Sequence, residues 1–579
     1  TDTGQHHVYD TERGATKRIH SNSTAAEATQ SDALTAFNSN GFTLGTNSQV
    51  NDSGIDTCSW TFRKQAGFFD VVTWTGTGST NHINHNLGST PGFIITKRTD
   101  SSEDWYVSGG GSTFYHFYSG FATNAANESN VSETSTNLNS ATFNAARFSN
   151  NTSGGTYVAY LFAHDDQSFG DDSDESIIKC GSYTGNGSST GPEINLGFEP
   201  QWLMAKRASG GTGEWWLVDN MRGMVNGGND AVLFPDQAYA EDSSNVIKPT
   251  STGFQLQDSG TRVNASGSTY IYIAIRRPMK TPESGTEVFA VDTMGSTGDG
   301  NLPAFRAGFP PDFALFREID ATYDTRAYDR LRDAAYLLTT SVNVEGGSGT
   351  KYWSHMNGFY NATATLSDYY AWMFIRAAGF FNVVAYTGNS STSRTLSHNL
   401  NAVPEMMIFK SRTAGNDWTV YHKDLGASSR IYLNLTSAVA TGANEWTNTT
   451  PTSSSVYLNN SSRVNNSAYT YIAYLFATLD GVSKVGSYTG TGSALTVDCG
   501  FSSGARFIMI KRTDAAAGWI VFDSERGIVA GADPYLYLNS TDAESSTDAI
   551  DPDSSGFIVN PVGGALNTSG GEYIFLAIA

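Results

Sequence analysis

The chain has 579 residues, 12% of them aromatic and only 16% charged, with 59 glycines. That composition suits short strands joined by many turns and fits long helices poorly. A formal net charge of −21 repels phosphate backbones and excludes nucleic acid as an expected partner. No apolar run approaches a membrane span, so membrane insertion is not expected either.

Residues 1–63 read as the back half of a repeated unit. VYDTERG (8–14) returns as VDNMRG (218–223) and VFDSERG (521–527), and SNGF (39–42) returns as STGF, MNGF and SSGF. SWTF (59–62) stands where other repeats carry their last strand. TDTGQHHVYD, at residue 1, does not read as a signal peptide.

The first complete repeat, 66–163, opens on FDVVTWTGTGSTNHINHNL (69–87). An alternating apolar run, a Thr-Gly turn and a second run form hairpin grammar. PGFIITKR (91–98), DWYV (104–107) and TYVAYLFA (156–163) follow. An acidic connector, HDDQSFGDDSDES, leads to the repeat at 177–277, with KCGSYTGNGSSTGPEINLGF, PQWLMAKR, EWWLVD and TYIYIAIRR. The repeat at 278–376 is divergent: it lacks the YTG hairpin but keeps PDFALFR, AYDRLRD and YYAWMFIR. The repeat at 378–477 has FNVVAYTGNSSTSRTLSHNL, PEMMIFK, DWTVYH and TYIAYLFA, and the one at 481–579 has KVGSYTGTGSALTVDCGF, ARFIMIKR, GWIVFD and EYIFLAIA.

A period of about 100 residues with about seven short strands per period predicts an all-β fold of tandem antiparallel β-sandwiches, jelly-roll or Ig-like. Both faces of TYVAYLFA are apolar, which marks a central strand. Two flavours of repeat alternate, so a larger unit of about 200 residues, the size of a lectin-like jelly roll, stands as an alternative. A half sandwich at 1–63 would leave open edges in water. Its missing strands are expected from modules upstream in a longer polypeptide or from another subunit, with Val8, Phe42 and Trp60 packed against them.

The recurrent polar residues have structural readings. Glu27, Glu128, Glu241, Glu345, Glu445 and Glu544 follow one recurring strand, and no second acid recurs with them as a catalytic pair requires. Thr24-x-x-Glu27 and Thr541-x-x-Glu544 have capping-box spacing, so helix capping or an ion pair is expected. Lys97, Lys206, Arg317, Lys410 and Lys511 close the Pro-led strand, where lone cations pair with carboxylates or meet water. The aromatic stretch STFYHFYSGF (112–121) matches a strand in the other repeats and reads as core. DPDSSGF (551–557) begins like a calcium loop, but Val562 holds the position of the final glutamate, which favours a hairpin turn. His85 and His398 recur in HNL and suggest a structural hydrogen bond. Cys58, Cys180 and Cys499, odd in number and widely spaced, fit neither a disulfide framework nor a zinc site and read as small buried hydrophobes. Asn186-Gly-Ser is the kind of N-x-S/T match that chance supplies here. No catalytic residue and no metal ligand is assigned, and no ligand-binding set emerges. The expected cofactor content is none beyond weakly held calcium at the acidic connector.

The series FFDVVTWTGTGST…HNLG…PGFIITKR…DW…TYVAYLFA resembles tandem modules of virion proteins from tailed phages of marine bacteria, tail-fibre-like or otherwise surface structural. The resemblance spans nearly the whole chain and is weakest at 278–376. It implies a β-sandwich and a virion or extracellular setting, with other virion proteins and further copies of the chain as partners and host-surface glycans as a possible contact. No catalytic residues come with it. The expected function is therefore a non-enzymatic virion structural protein: tail fibre, appendage or capsid-surface protein, without hydrolase activity in 66–579. The alternatives are a bacterial surface adhesin or filament subunit, and a carbohydrate-binding array of a secreted hydrolase. Trp519→Ala is expected to melt the last repeat while the first stays folded.

Overall fold

The structure is a computed structural model. It describes residues 4–111, 115–117, 138–145, 151–278, 280–293, 303–320, 322–347, 353–359, 369–442, 444–562 and 564–579. Most of STFYHFYSGF and Glu128 lie outside the described residues. The chain divides into two compact units, one of residues 1–249 with 253–277 and one of 250–252 with 278–579. Both are built of antiparallel β-sheets, as the turn-rich composition predicts.

In the second unit each repeat contributes one six-stranded sheet with the same strand order. For 481–579 the order is Ser483–Thr489, Glu572–Ile578, Phe507–Arg512, Trp519–Asp523, Asp533–Tyr537, Ser545–Thr547. The last strand in sequence, called the closing strand below, thus lies between the first strand of the repeat and the Pro-led strand. Its two faces have different neighbours. Ile574, Leu576 and Ile578 point to a core shared by all three repeats. Tyr573, Phe575 and Ala577 point to a private core, closed by the sheet Leu495–Asp498, Gly556–Val559, Ile550–Asp553. A period-two strand that is apolar on both faces is what such double burial demands.

The three sheets close a ring around the shared core. The Glu345 amide donates to Arg412 O at 2.9 Å, the Val439 amide to Thr513 O at 2.8 Å, and the Glu544 amide to Ile319 O at 2.9 Å. These bonds link the first repeat of the unit to the second, the second to the third, and the third back to the first. Inside lies a cavity of about 30 Å³, lined by Phe313, Leu315, Trp418, Leu433, Met509 and Leu538 among others. A pocket this apolar offers water too few partners and stays dry.

The first unit repeats the plan. Its shared core joins Ile19 with Val71, Ile95 and Tyr160 of 66–163 and with Trp202, Met204 and Ile273 of 177–277. Val8, Trp60 and Phe62 pack against this core. The expectation that Val8 and Trp60 pack only on strands from elsewhere is therefore corrected. Phe42 is half-buried in the hairpin Leu34–Asn38 with Gly41–Leu44, opposite Phe37. Repeats assemble in threes, so the half repeat finds neighbours in the same chain. Grouping in threes likewise replaces the pairing into 200-residue units.

In four of the repeats one contact recurs. A buried asparagine holds the YTG turn: Asn567 Oδ1 accepts from Thr491 N at 2.8 Å while its Nδ2 donates to Ser493 O at 2.6 Å. Asn264 does the same with Asn186 N at 2.8 Å and Ser188 O at 2.7 Å, and Asn465 with Asn389 N at 3.0 Å and Ser391 O at 2.9 Å. Asn151 accepts from Thr77 N at 2.9 Å and donates to Ser79 O. The tyrosine six residues on accepts a neighbouring amide, as Tyr573 does from Thr568 N at 3.0 Å.

Candidate functional site

The residues that recur along the sequence converge on the joints between repeats. The joints draw on three recurring groups: a tryptophan, a strand-end cation and a turn carboxylate.

The tryptophan lies at the start of the strand that follows the Pro-led one. Trp418 Nε1 donates to Leu338 O at 2.8 Å, Trp519 Nε1 to Tyr432 O at 2.9 Å, and Trp105 Nε1 to His20 O at 3.0 Å. Each bond crosses to the preceding repeat. All three rings are fully buried, and the N–H finds the acceptor that a buried indole needs.

The strand-end cation makes the same crossing. Lys410 Nζ donates to Val342 O and Asn416 O, both at 2.9 Å, Lys511 to Thr436 O at 3.0 Å and to Ala517 O, and Lys97 to Thr24 O at 2.9 Å and Glu103 O at 2.5 Å. Arg317 reaches Tyr537 O at 2.7 Å, Ser540 O at 3.0 Å and Asp542 O. Lys206 instead donates within its own repeat, to Gly213 O. These side chains were expected to meet carboxylates or water. They are buried instead, because several donors on one cation match the carbonyls that a neighbouring loop leaves unpaired. Burial pushes Lys97, Lys410 and Lys511 down to about 8 and Arg317 down to about 10.

The turn Asp-x-x-Arg supplies the carboxylate. Arg Nε meets Asp Oδ2 at 2.6 Å in Arg13–Asp10, 2.7 Å in Arg222–Asp219, 2.5 Å in Arg332–Asp329 and 2.6 Å in Arg526–Asp523. The same oxygen accepts a bond from the adjacent repeat, from its closing strand or, at Trp60, from the stretch 59–62, which is expected as a strand but forms none. Its donors are Tyr160 Oη at 2.7 Å on Asp10, Trp60 Nε1 at 3.1 Å on Asp219, Tyr474 Oη at 2.7 Å on Asp329, and Trp372 Nε1 at 2.9 Å on Asp523. Burial raises the phenols of Tyr160 and Tyr474.

The recurring glutamates complete the charge balance. Glu27 meets Arg13 at 3.4 Å, Glu241 meets Arg222 at 3.0 Å, and Glu544 meets Arg526 at 3.0 Å. Glu345 grips Arg412 through two bonds, at 2.8 and 2.9 Å, and Glu445 pairs with Arg430 at 3.2 Å and Arg463 at 3.4 Å. No helix begins at Thr24 or Thr541, so the ion-pair alternative holds there and capping does not.

One joint in each unit lacks the aspartate. The equivalent position is Gly109 in 66–163 and His422 in 378–477, and the closing strand of the repeat that follows carries Ile273 or Leu576 in place of the hydrogen-bonding aromatic. His422 is buried, its Nδ1 accepting from Asp424 N at 3.2 Å, and burial pushes it down to about 4. The three joints of a unit are thus chemically unlike: Asp–Tyr, Asp–Trp and one without Asp. A repeat placed at the wrong joint would bury an aspartate against an aliphatic side chain, at a cost of several kcal/mol.

Other sequence expectations find plain places. His85 Nδ1 accepts from Leu87 N at 3.2 Å and Nε2 lies 3.2 Å from Asn139 O; His398 matches it with Leu400 N at 3.3 Å and Thr452 O at 3.2 Å. Asp551 and Asp553 lie in the strand Ile550–Asp553 of a hairpin with Gly556–Val559. Cys180 and Cys499 are buried, and burial raises both thiols, Cys499 to about 12. In the acidic connector Asp165 pairs with Lys179 at 3.2 Å and Glu175 with Arg276 at 3.4 Å. Among the described residues no three His, Cys, Asp or Glu side chains stand together as a metal set, and no helix is long and apolar enough to cross a membrane. The sequence reading missed Asp230 and Asp533. Asp533 accepts from Val529 N at 3.0 Å, Ala549 N at 3.1 Å and Ile550 N at 2.9 Å; Asp230 does so from Val225 N at 3.1 Å and from Val246 N and Ile247 N at 2.9 Å. Burial raises both, Asp230 to about 7.

A family model described as a domain of unknown function (DUF7483) matches residues 1–278 and 373–579, leaving most of the divergent repeat outside. No curated protein matches the chain.

Proposed function

The chain belongs to the DUF7483 family, and we propose that it is a non-enzymatic structural protein of a virion surface: a tail fibre, an appendage or a capsid-surface protein. One observation carries this reading: the polar residues that recur along the chain are engaged in holding repeat to repeat. Asp329, Arg332, Lys410, Trp418 and Tyr474 all serve joints. A catalytic or binding set would instead point convergent polar groups into a cleft. The resemblance of the YTG and Lys-Arg strand motifs to phage virion modules supports the setting, and the negative net charge suits a solvated surface. Other virion proteins and further copies of the chain are its partners, with host-surface glycans as a contact made at loops. Gold-labelled antibody against residues 481–579, viewed on native particles by electron microscopy, tests the proposal. Label on a fibre, appendage or capsid face supports it. Label on bacterial cell surfaces in the absence of particles would favour an adhesin or filament subunit and overturn it.

A further inference from the structure

We propose that the repeat at 177–277 closes itself with a covalent bond, an amide between Lys206 Nζ and Asp236 Cγ. Both side chains are buried, Lys206 at 0% and Asp236 at 2% exposure. They reach one short segment from opposite sides. The strand Trp216–Asp219 pairs with Pro200–Arg207 on one side and meets Leu233 through a bridge at Leu217 on the other. At its head, Lys206 comes in from Pro200–Arg207 and donates to Gly213 O. Asp236, just beyond the strand Asp230–Val232, stands against the Trp215 backbone amide. Between Gly213 and Trp215 is Glu214, whose charge acts on both groups. Neither Lys206 nor Asp236 is fully satisfied. Both Asp236 oxygens are buried, and neither completes a hydrogen bond to a described residue. Gly213 O is the one acceptor of Lys206 among the described residues, whereas Lys97, Lys410 and Lys511 each hold two. Two buried charges so poorly partnered are costly, and an amide between them removes both.

Two sister repeats hold other residues at the same three positions. At 378–477 these are Lys410, Asp417 and Asn434, and each has its partners. Lys410 donates to Asn416 O and, across the joint, to Val342 O, both at 2.9 Å. Asn434 accepts from Trp418 N at 2.9 Å and donates to Asp417 Oδ1 at 3.0 Å. At 481–579 they are Lys511, Gly518 and Asn539, with Asn539 accepting from Trp519 N at 2.7 Å. The middle acid is missing there. Among these three repeats, only 177–277 has a carboxylic acid at the third position, and only there does the lysine bond within its own repeat alone.

The bond is a condensation. Burial raises the Asp236 carboxyl and lowers the Lys206 ammonium, which favours the uncharged acid and amine that react. The Nζ lone pair attacks Cγ, a C–N bond forms and the C–OH bond breaks. The hydroxyl leaves as water with one amine proton, which Glu214 takes up and hands on. No oxidant or further reactant enters. Holding both partners at residues 213–215 supplies the proximity that replaces chemical activation. The product ties Pro200–Arg207 to the end of Asp230–Val232 over the strand between them, so the sheet cannot be pulled apart there.

Intact mass of the full chain, measured after unfolding, and tryptic mapping of the same sample test the bond. The proposal expects a chain lighter than its sequence by one water, no tryptic cleavage after Lys206, and a branched peptide joining Lys206 to Asp236. Lys206→Met and Asp236→Ala should each abolish the loss of water, and Glu214→Gln should slow it. A wild-type chain that keeps its full sequence mass after prolonged incubation in the folded state overturns the proposal, whether or not any variant folds. So does water lost at another residue, with Lys206 and Asp236 recovered in separate linear peptides, or linkage at undiminished rate in Glu214→Gln.

Discussion

Asp329 accepts the phenolic proton of Tyr474 at 2.7 Å, across a joint between residues 145 apart in sequence, while its same oxygen holds Arg332 at 2.5 Å. All three side chains are buried. The carboxylate therefore balances a buried guanidinium and anchors the next repeat's closing strand at once. Asp329→Ala leaves the buried Arg332 with only Glu345, 4.0 Å away, to balance its charge, and is expected to cost about 3–5 kcal/mol. Tyr474→Phe removes one bond and should cost about 1–3 kcal/mol. Urea denaturation of the full chain measures both. A double variant no worse than Asp329→Ala alone is the coupling expected of residues in contact.

Trp519 tests how far a joint reaches. Its ring is 0% exposed and lies in the core shared by all three repeats, so Trp519→Ala should cost about 3–5 kcal/mol. Independent sandwiches would lose residues 481–579 alone. The shared core instead predicts that residues 278–579 loosen together, which hydrogen exchange resolves repeat by repeat.

The buried lysines predict an unusual response to alkali. Lys97, Lys410 and Lys511 fall to about 8 in the folded chain, against 10.5 for a free side chain. Between those values the unfolded chain binds more protons than the folded one, so stability rises with pH. Above about pH 9 the buried thiols and tyrosines, whose values burial raises, act in the opposite sense. Melting temperature should therefore climb from pH 7.5 to 9 and then fall. Lys511→Met should flatten the climb; a climb unchanged in that variant would mean that this lysine does not titrate in the range.

The turn asparagines should be worth a bond or two each. Asn567→Ala strips the YTG turn of its clamp and leaves the Thr491 amide and Ser493 carbonyl without their partner. A cost of about 1–3 kcal/mol is expected, with faster exchange at residues 489–493 and unchanged exchange at the tryptophan joint of Trp418.

Much of the sandwich was legible in the sequence. The Pro-led strand and the doubly apolar closing strand lie where their periodicity puts them, but the expected hairpin at 69–87 is corrected: Phe69–Thr75 pairs with Thr156–Ala163 and His82–Asn84 with Thr142–Asn144, so the Thr-Gly turn carries the chain from one sheet to another. The ring of three was not legible, for a physical reason. Ile574, Leu576 and Ile578 alternate with Tyr573, Phe575 and Ala577, and a two-faced apolar strand reads the same whether its second face meets a partner sheet or a neighbouring repeat. Two signals were available. Asn-x5-Tyr recurs at Asn151, Asn264, Asn465 and Asn567, and it marks the turn clamp. Asp-x-x-Arg occurs in two of every three repeats, at Asp10, Asp219, Asp329 and Asp523, and its period of three is the ring written in sequence. The strand-end lysines were misjudged because an isolated cation in sequence shows nothing of the carbonyls that a folded neighbour aims at it.

The most direct test of the joints is calorimetry of the full chain with two variants that lie in different repeats, Asp329→Ala and Trp519→Ala. A ring closed around one core predicts that both lower the same thermal transition, since either loss opens the shared core of residues 278–579. Two variants that lowered two different transitions, each confined to its own repeat, would contradict the account.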